Sequence, residues 1–490
     1  MLDLFYMGNI RVNFQYFRQN AEKILIILFL AAFSFNIRKV FLTPYSFLDG
    51  TFNEYLTPSL GWADFLMLAV IIIYTIKWLY SQFVWDLSDN SLLDHVIRFI
   101  SSVIQCLNNV SRETLLLTVF IFWMGISISW SQNKAFALYR FSTFLEILVF
   151  SYISIKSLKN SNWIDVAFLA LIINGLFQSI LGSAQFFLNR SVGIHWMGES
   201  ILASNIEGVA KIIIRGEKHI RAYGTFPHPN ILAGFLIITI FFILSLLLKR
   251  LVFAKNNMEV SRGTFFYHIP TQFLVITFAI LLMGLLLTFS RSAIIGLLLG
   301  LILGLLWFRK LLFKKIFRRE IIVLIFILII SVTFFAQSHI NATSIFSTQS
   351  LEERNLYQRV SYETISHHPL TGIGIGQFVF GEFKKYPDME GWQYQPVHNI
   401  YLLVFSELGI VGVIFLLLFF SVTMRPKINR KSISYGELTY LSFYCIIFSF
   451  LFISLFDHYF WDIKLGMIVF FIPIIFLKLS AEKFFHASMR

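Results

Sequence analysis

Residues 231–248 read ILAGFLIITIFFILSLLL, eighteen positions without a charged side chain, closed by Lys249-Arg250. A run of this length crosses the hydrocarbon of a bilayer, roughly 30 Å thick, as a single helix. Working outward from it, comparable runs recur from residue 24 to residue 479. They place spans at 24–37, 63–81, 114–130, 136–155, 163–183, 228–248, 270–289, 291–308, 320–336, 398–420, 437–456 and 463–479. About twelve helices of some twenty residues each make the predicted fold an all-α polytopic membrane protein, with residues 1–490 as one integral membrane domain. The region 91–108, interrupted by Asp94, His95 and Arg98, reads as an amphipathic interfacial helix.

Composition excludes other classes. Of 490 residues, 57% are hydrophobic and 14% charged, with a mean hydropathy of +0.72. A water-exposed surface needs roughly a quarter of its residues charged, so a soluble enzyme is ruled out. The formal charge of +13 does not indicate nucleic acid, because its densest run (Arg309, Lys310, Lys314, Lys315, Arg318, Arg319) flanks apolar segments. Cys106 and Cys445 lie in or beside apolar stretches and offer no disulfide framework or haem site. The first apolar run lacks a small-residue cleavage site and reads as a retained span.

An even span count puts both termini on one side, and basic loops choose that side. Lys156 and Lys159, Lys249 to Arg262, the 309–319 run and Arg425 to Lys431 all fall together, which makes the termini cytoplasmic. The opposite side then receives the loops 38–62, 184–227 and 337–397. Arg38, Lys39 and the basic residues of 184–227 break the charge rule there and need another reason to exist. In the 337–397 loop, Leu351, Leu356, Val360 and Ile365 alternate with charges over Leu351–Ser366, the pattern of an amphipathic helix lying on the membrane. Gly372, Gly374 and Gly376 follow as a turn series.

Polar residues gather at span ends on that side: Arg221 before Gly224–Asn230, Ser290-Arg291-Ser292, His398-Asn399 and Asp457-His458-Tyr459. An ionisable group beside hydrocarbon is costly unless it is paired or faces a polar cavity. Arg221 and Arg291 suit a diphosphate, since guanidinium stays charged and grips phosphate oxygens in pairs. They could hold a lipid diphosphate and stabilise its departure without a metal. No carboxylate cluster with metal-ligand spacing stands out, so no cofactor is expected. His398 is the candidate base, able to take a proton from a hydroxyl near neutral pH. Tyr401, Leu402 and Phe405 form an apolar stripe below it. Glu407, about 13 Å deeper and on the opposite helix face, reads as an interhelical partner.

In order along the chain, Arg221-Ala-Tyr-Gly-Thr-Phe-Pro-His-Pro-Asn230, Thr288-Phe-Ser-Arg-Ser292, Pro369-Leu-Thr-Gly-Ile-Gly-Ile-Gly376, His398-Asn-Ile-Tyr-Leu and Glu407-Leu-Gly409 resemble the O-antigen ligase/polymerase family of bacterial envelope enzymes. The resemblance covers roughly residues 200–420. It implies a GT-C-type architecture with the large outer loop between helices nine and ten. It also implies a metal-independent, inverting glycosyltransferase that moves a glycan from undecaprenyl diphosphate to a hydroxyl on the outer face of the bacterial plasma membrane. Arg221, Arg291 and His398 match the family's essential residues. Arg354 and Arg359 are weaker matches, and with Asn399, Tyr401, Asp457 and His458 they are the expected substrate contacts. Pro227-His228 departs from the commoner Gly-His or Gly-Asn, and the resemblance assigns Asp457–Trp461 no role. The acceptor stays open between lipid A core, a second glycan unit and a protein hydroxyl, hence between ligase, repeat-unit polymerase and protein O-oligosaccharyltransferase. A lipid-linked glycan transporter is the alternative from another class, disfavoured because no inverted repeat is visible.

Overall fold

The computed structural model describes residues 19–48, 50–83, 111–159, 163–253, 269–312, 348–424 and 435–488. The expected ninth span at 320–336, the interfacial helix at 91–108 and the charges Lys314 to Arg319 lie outside the described residues. In chain order the helices are α1 (19–32), α2 (Trp62–Phe83), α3 (Arg112–Ser127), α4 (Lys134–Leu158), α5 (Trp163–Leu188), α6 (Pro229–Phe253), α7 (Thr271–Leu287) and α8 (Arg291–Leu312). They continue as α9 (Thr348–His367), α10 (Phe378–Lys385), α11 (Ile400–Thr423), α12 (Tyr435–Ile453), the single turn α13 (Tyr459–Asp462) and α14 (Lys464–Ser488). Among the described residues seven helices are long and apolar enough to cross a membrane: α2, α3, α4, α5, α6, α11 and α14. The apolar stretches of α7, α8 and α12 are shorter. The protein is thus a multi-pass, all-α membrane protein.

The apolar run that opened the reading becomes the centre of the bundle. Almost every side chain of α6 from Ile231 to Leu247 is buried, packed by α5, α7, α8, α12 and α14. Phe168 stacks on Phe242 and Phe476 at this centre. The first span shifts from its expected place, with α1 ending at residue 32 rather than 37. The charges Lys23 and Glu22, expected to precede the helix, lie within it, and Glu22 pairs with Lys77 at the far end of α2.

Three antiparallel strand pairs decorate one end of the bundle, all inside the loops 38–62 and 184–227: β1 (Arg38–Val40) with β4 (Ser59–Gly61), β2 (Phe47–Leu48) with β3 (Thr51–Phe52), and β5 (Lys211–Ile214) with β6 (Glu217–Ile220). Here one of the charge-rule exceptions, Arg38, pairs with Glu54 at 2.6 Å, and Lys464, opening α14, reaches Asp64 at 2.7 Å and the Ser59 carbonyl.

The amphipathic segment of the large loop is helical, but it does not present the expected stripe alone. Tyr357, Val360 and Ser361 form its buried face, with Leu356 and Ile365 only half-buried. This face packs on the first turns of α11, where Ser361 Oγ lies 2.9 Å from Ser406 Oγ. A polar pair in place of a hydrophobic stripe seats the helix on protein.

α11 is broken at Gly409, whose φ of 67° and ψ of −172° suit glycine alone. The break strands helix backbone groups, and Pro369–Gly376 runs alongside to satisfy them. Ile373 and Gly374 N–H donate to the carbonyls of Ser406 and Glu407, and Ile410 N–H donates to the Pro369 carbonyl. A Cβ on Gly372 would strike the Glu407 backbone, and one on Gly409 would strike the Leu370 carbonyl. Ile400 and Leu416 line one apolar cavity of roughly 40 Å³, although sixteen residues of straight helix would separate them by about 24 Å. The helix therefore folds around that cavity.

Gly409→Ala should be costly, by about 1–3 kcal/mol from backbone strain before the collision with Leu370 is added. Thermal unfolding of the detergent-solubilised variant checks this, and an unchanged melting temperature would show that the break is not required by the fold.

Candidate active site

The site is built from five chain segments that meet at the hairpin-bearing end. Between α7 and α8 the chain turns within Thr288–Ser290, with Phe289 at φ 51°, a left-handed conformation unfavourable for a bulky side chain. The turn is gripped from the preceding loop. Ala222 N–H donates to the Leu287 carbonyl at 2.9 Å, and Arg221 Nε donates to the Thr288 carbonyl at 2.5 Å. This grip brings Arg221 to the turn from which Arg291 opens α8, joining residues seventy positions apart.

The loop holding Arg221 is itself fixed by an amide network that sequence reading missed. Asn174, Gln178 and Gln185 are buried in α5. Gln185 Oε1 accepts from Tyr223 and Gly224 N–H, and Gln178 Oε1 accepts from Thr225 N–H. Gln178 Nε2 donates to Ser34 and Thr225 hydroxyls, and Ser34 donates to Asn174. The available signal was three amides in an otherwise apolar span, at spacings of four and seven that put them along one helix face. Each buried bond contributes about 1 kcal/mol net, while a lost partner costs more. The network therefore fixes the loop backbone.

From Arg221 the contacts continue outward. Its Nη2 donates to Asn230 Oδ1 at 2.6 Å, and Asn230 Nδ2 donates to Asp457 Oδ2 at 2.5 Å. Burial lowers the Arg221 pKa to about 10, which still leaves a cation at neutral pH. Burial raises Asp457, opposed by His458, Asn230 and Arg354. Asn230 thus relays a cation to a carboxylate without direct contact. Next in sequence, His458 Nδ1 sits 2.8 Å from Asp462 Oδ2. Burial disfavours charge on this imidazole, but Asp462 and Asp457 outweigh it and raise its pKa above the ordinary value. Arg140 fixes the turn from below through the carbonyls of Trp461 and Asp462.

His398 completes the group. Its ring stacks on Tyr357 at 5.8 Å and meets the His458 ring edge-on at 4.8 Å. Its Nδ1 makes no hydrogen bond. Burial, then the charges of His458, Arg354 and His228, hold its pKa well below 6.5, so the imidazole is neutral at pH 7. His228 is likewise neutral, lowered to about 3 by burial and Arg221, and its Nδ1 accepts from Asn230 N–H. Arg354 acts electrostatically on His398, Asp457, His458 and Arg291, placing all five in one field.

Of the nine residues singled out in the sequence, Arg221, Arg291, Arg354, His398, Asp457 and His458 therefore come together. The other three occupy different positions. Arg359 sits in the field of Glu363 and Tyr386, farther along α9. Asn399 caps α11 by accepting from Leu402 N–H and ties it to the Leu455 carbonyl. Tyr401 donates to the Leu451 carbonyl of α12 at 2.9 Å. Tyr357, Asn230, His228 and Asp462 join the site without having been chosen. Tyr357 was legible as the buried-face position three before Val360; the others became assignable only once the loops met. Among the described residues no group of three or more His, Cys, Asp or Glu side chains is arranged to hold a metal ion. A polar cavity of about 70 Å³, lined by Tyr55, Arg140, Pro227 and Asp462, opens beside His458.

Residues 276–417 match the protein family described as O-Antigen ligase. That segment contains Arg291, Arg354, Arg359, His398, Asn399 and Tyr401, while Arg221, Asp457 and His458 lie outside it. It also spans the strained turn and the broken helix α11. No curated protein matches the chain.

The ion pair His458–Asp462 has a pH signature. A histidine raised above its unfolded value contributes stability that is full below about pH 6.5 and lost as pH rises through the folded pKa. The stability advantage over Asp462→Asn should thus be largest between roughly pH 5 and 6.5 and shrink at higher pH. Melting curves of both proteins across this range test it, and a pH-independent difference would remove the pairing from the account.

Proposed function

We propose that the protein is a glycosyltransferase of the bacterial plasma membrane, using a glycan carried on undecaprenyl diphosphate as donor and a hydroxyl as acceptor. The observation that carries this reading is a neutral His398 with an unengaged ring nitrogen in the field of Arg354, which is itself linked electrostatically to Arg291 and through it to Arg221. The match of residues 276–417 to the O-Antigen ligase family supports it independently.

In this reading the guanidinium groups bind the diphosphate, and the apolar cavity in the crook of α11, lined by Ile400, Tyr401, Phe460 and Trp461, receives the adjoining part of the lipid tail. His398 takes the proton from the acceptor hydroxyl. The hydroxyl oxygen bonds to the anomeric carbon as the carbon–phosphate oxygen bond breaks, and that bond's electron pair leaves with the diphosphate. Attack opposite the leaving group inverts the anomeric centre. The arginines stabilise the charge gathering on the departing phosphate, so the reaction is read as metal-independent. The proton then passes from His398 to water. His458, whose protonated form is favoured by Asp462 and Asp457, faces the same space and when protonated adds to the field at the leaving group. Tyr357 holds the His398 ring plane.

The basic-loop pattern supports placing this end of the bundle on the outer face, with cytoplasmic termini; the apolar runs support twelve spans in the full chain, and the resemblance to the O-antigen ligase family supports a GT-C-type architecture. Among acceptors, lipid A core gives a ligase, a second lipid-linked unit gives a polymerase, and a protein hydroxyl gives an O-oligosaccharyltransferase.

Transfer in proteoliposomes, read by mass spectrometry with each acceptor separately, tests the proposal. His398→Ala should lose at least about 100-fold in turnover. Arg221→Lys should fail nearly as badly as Arg221→Ala, because one ammonium cannot reach both Thr288 and Asn230. Unmodified rates in folded variants, or translocation of an unchanged lipid, would refute it.

A further inference from the structure

Away from the histidine cluster, α9 ends at a second and larger opening. Trp130, Gln132, His367, His368, Lys384 and Lys385 line a groove of about 440 Å³, whose floor is the Gly372–Ile373 backbone of the loop supporting α11. Among the described residues its lining contains no aspartate or glutamate. His367, His368 and Lys384 are exposed. Lys385 is engaged by Glu363, outside the lining. Trp130 is half-buried, packed on Trp123 at 5.7 Å, and its indole N–H is buried without a hydrogen-bond partner. Apart from Trp130 and Ile373, the lining carries no large apolar side chain.

We infer that this groove binds an acidic sugar segment of a glycan whose reactive end lies at His398. The inference deepens the transferase reading and rests on it for its purpose, but not for the binding itself. Three features select the ligand. Cations without a lining carboxylate favour an anionic occupant. Amide and hydroxyl groups beside an indole suit a polyhydroxylated ring, which presents a flat apolar face and hydrogen-bonding edges. The scarcity of apolar lining leaves no trough for acyl chains, which disfavours a phospholipid. The span also fits an oligosaccharide. Arg354 stands in the field of His398, and thirteen residues of α9 carry the chain from there to His367, about 20 Å away. A glycan held at its diphosphate end by Arg354 can therefore follow α9 to the groove. Because the groove floor is the loop that satisfies the break in α11, occupancy there bears on the element that carries His398.

The test uses the full-length protein in detergent, with no lipid-linked donor, and titrates it calorimetrically with tetragalacturonic acid, maltotetraose and glycerophosphoglycerol. The expected result is saturable binding of the acidic tetramer, weakened by salt and at least tenfold tighter than maltotetraose. A Lys384→Ala/His368→Ala variant should lose at least tenfold in affinity, Lys384→Arg should retain it, and Trp130→Phe should weaken it by removing the N–H. Equal binding of neutral and acidic tetramers, binding indifferent to these substitutions, or preferential binding of glycerophosphoglycerol would overturn the inference. Binding without any transferase activity would refute the catalytic reading and leave the groove standing; transfer without binding would do the reverse.

Discussion

The constraint on which this structure turns is the expense of polar and charged groups where apolar helices meet. In water a stray arginine is solvated; at the end of a buried bundle it must find a partner or a polar cavity. Arg221 meets that demand through the Thr288 carbonyl and Asn230, and Asn230 passes the demand to Asp457. Each link belongs to a different loop, so satisfying one cation fixes the relative positions of the α7–α8 turn, the start of α6 and the segment before α13. The chemistry of the site follows from this, because the same contacts that hold Arg221 bring Arg291 beside it and seat the 457–458 segment, whose His458 ring meets His398.

A second constraint concerns backbone rather than side chains. A helix interrupted inside a membrane protein leaves N–H and C=O groups that lipid cannot satisfy. Gly409 interrupts α11, and the Gly-rich loop supplies the missing partners from outside the helix. The glycines are required at close approach, where Gly372 lies on the Glu407 backbone and Gly376 on Arg140. Arg140 in turn fixes the turn of His458. A turn series that looks unremarkable in sequence therefore positions both histidines, one through α11 and the other through Arg140.

This explains what could be read from the sequence and what could not. Span positions follow from apolar runs, a local property, and the spans around α6 were legible within a few residues. The start of α1 was placed after Glu22 and Lys23, whereas the helix includes both, and the partner that admits Glu22, Lys77, is fifty-five positions away. Arg221, Arg291 and His398 stood out as polar residues at span ends, again a local signal. Asn399 was taken for a substrate contact because it adjoins His398, yet its oxygen is committed to capping α11. Tyr401 was expected as a substrate contact, and its hydroxyl is held by the Leu451 carbonyl. In both cases the competing partner was a backbone group, invisible until the helices had been assembled.

The balance of charge at the cluster gives the arrangement its direction. Arg221, Arg291, Arg354 and His458 share the cluster with Asp457 and Asp462, and these two carboxylates are already engaged by Asn230 and His458 respectively. Fully neutralising the arginines with carboxylates would stabilise the empty protein but leave nothing for an anion to gain. Arg291 and Arg354 stand in each other's field, and burial followed by the charge of Arg354 lowers the pKa of Arg291, so holding these cations together has a cost. That cost is tolerated only because Arg221 is locked by the surrounding network while Arg291 and Arg354 remain exposed to solvent. Burial first, and then the charges of His458, Arg354 and His228, keep His398 neutral. An entering anion would relieve the repulsion and, by the same electrostatics, make protonation of His398 easier. A base that is unprotonated before its anionic partner arrives, and more readily protonated once it has, is suited to accept a proton at the stage when negative charge develops beside it.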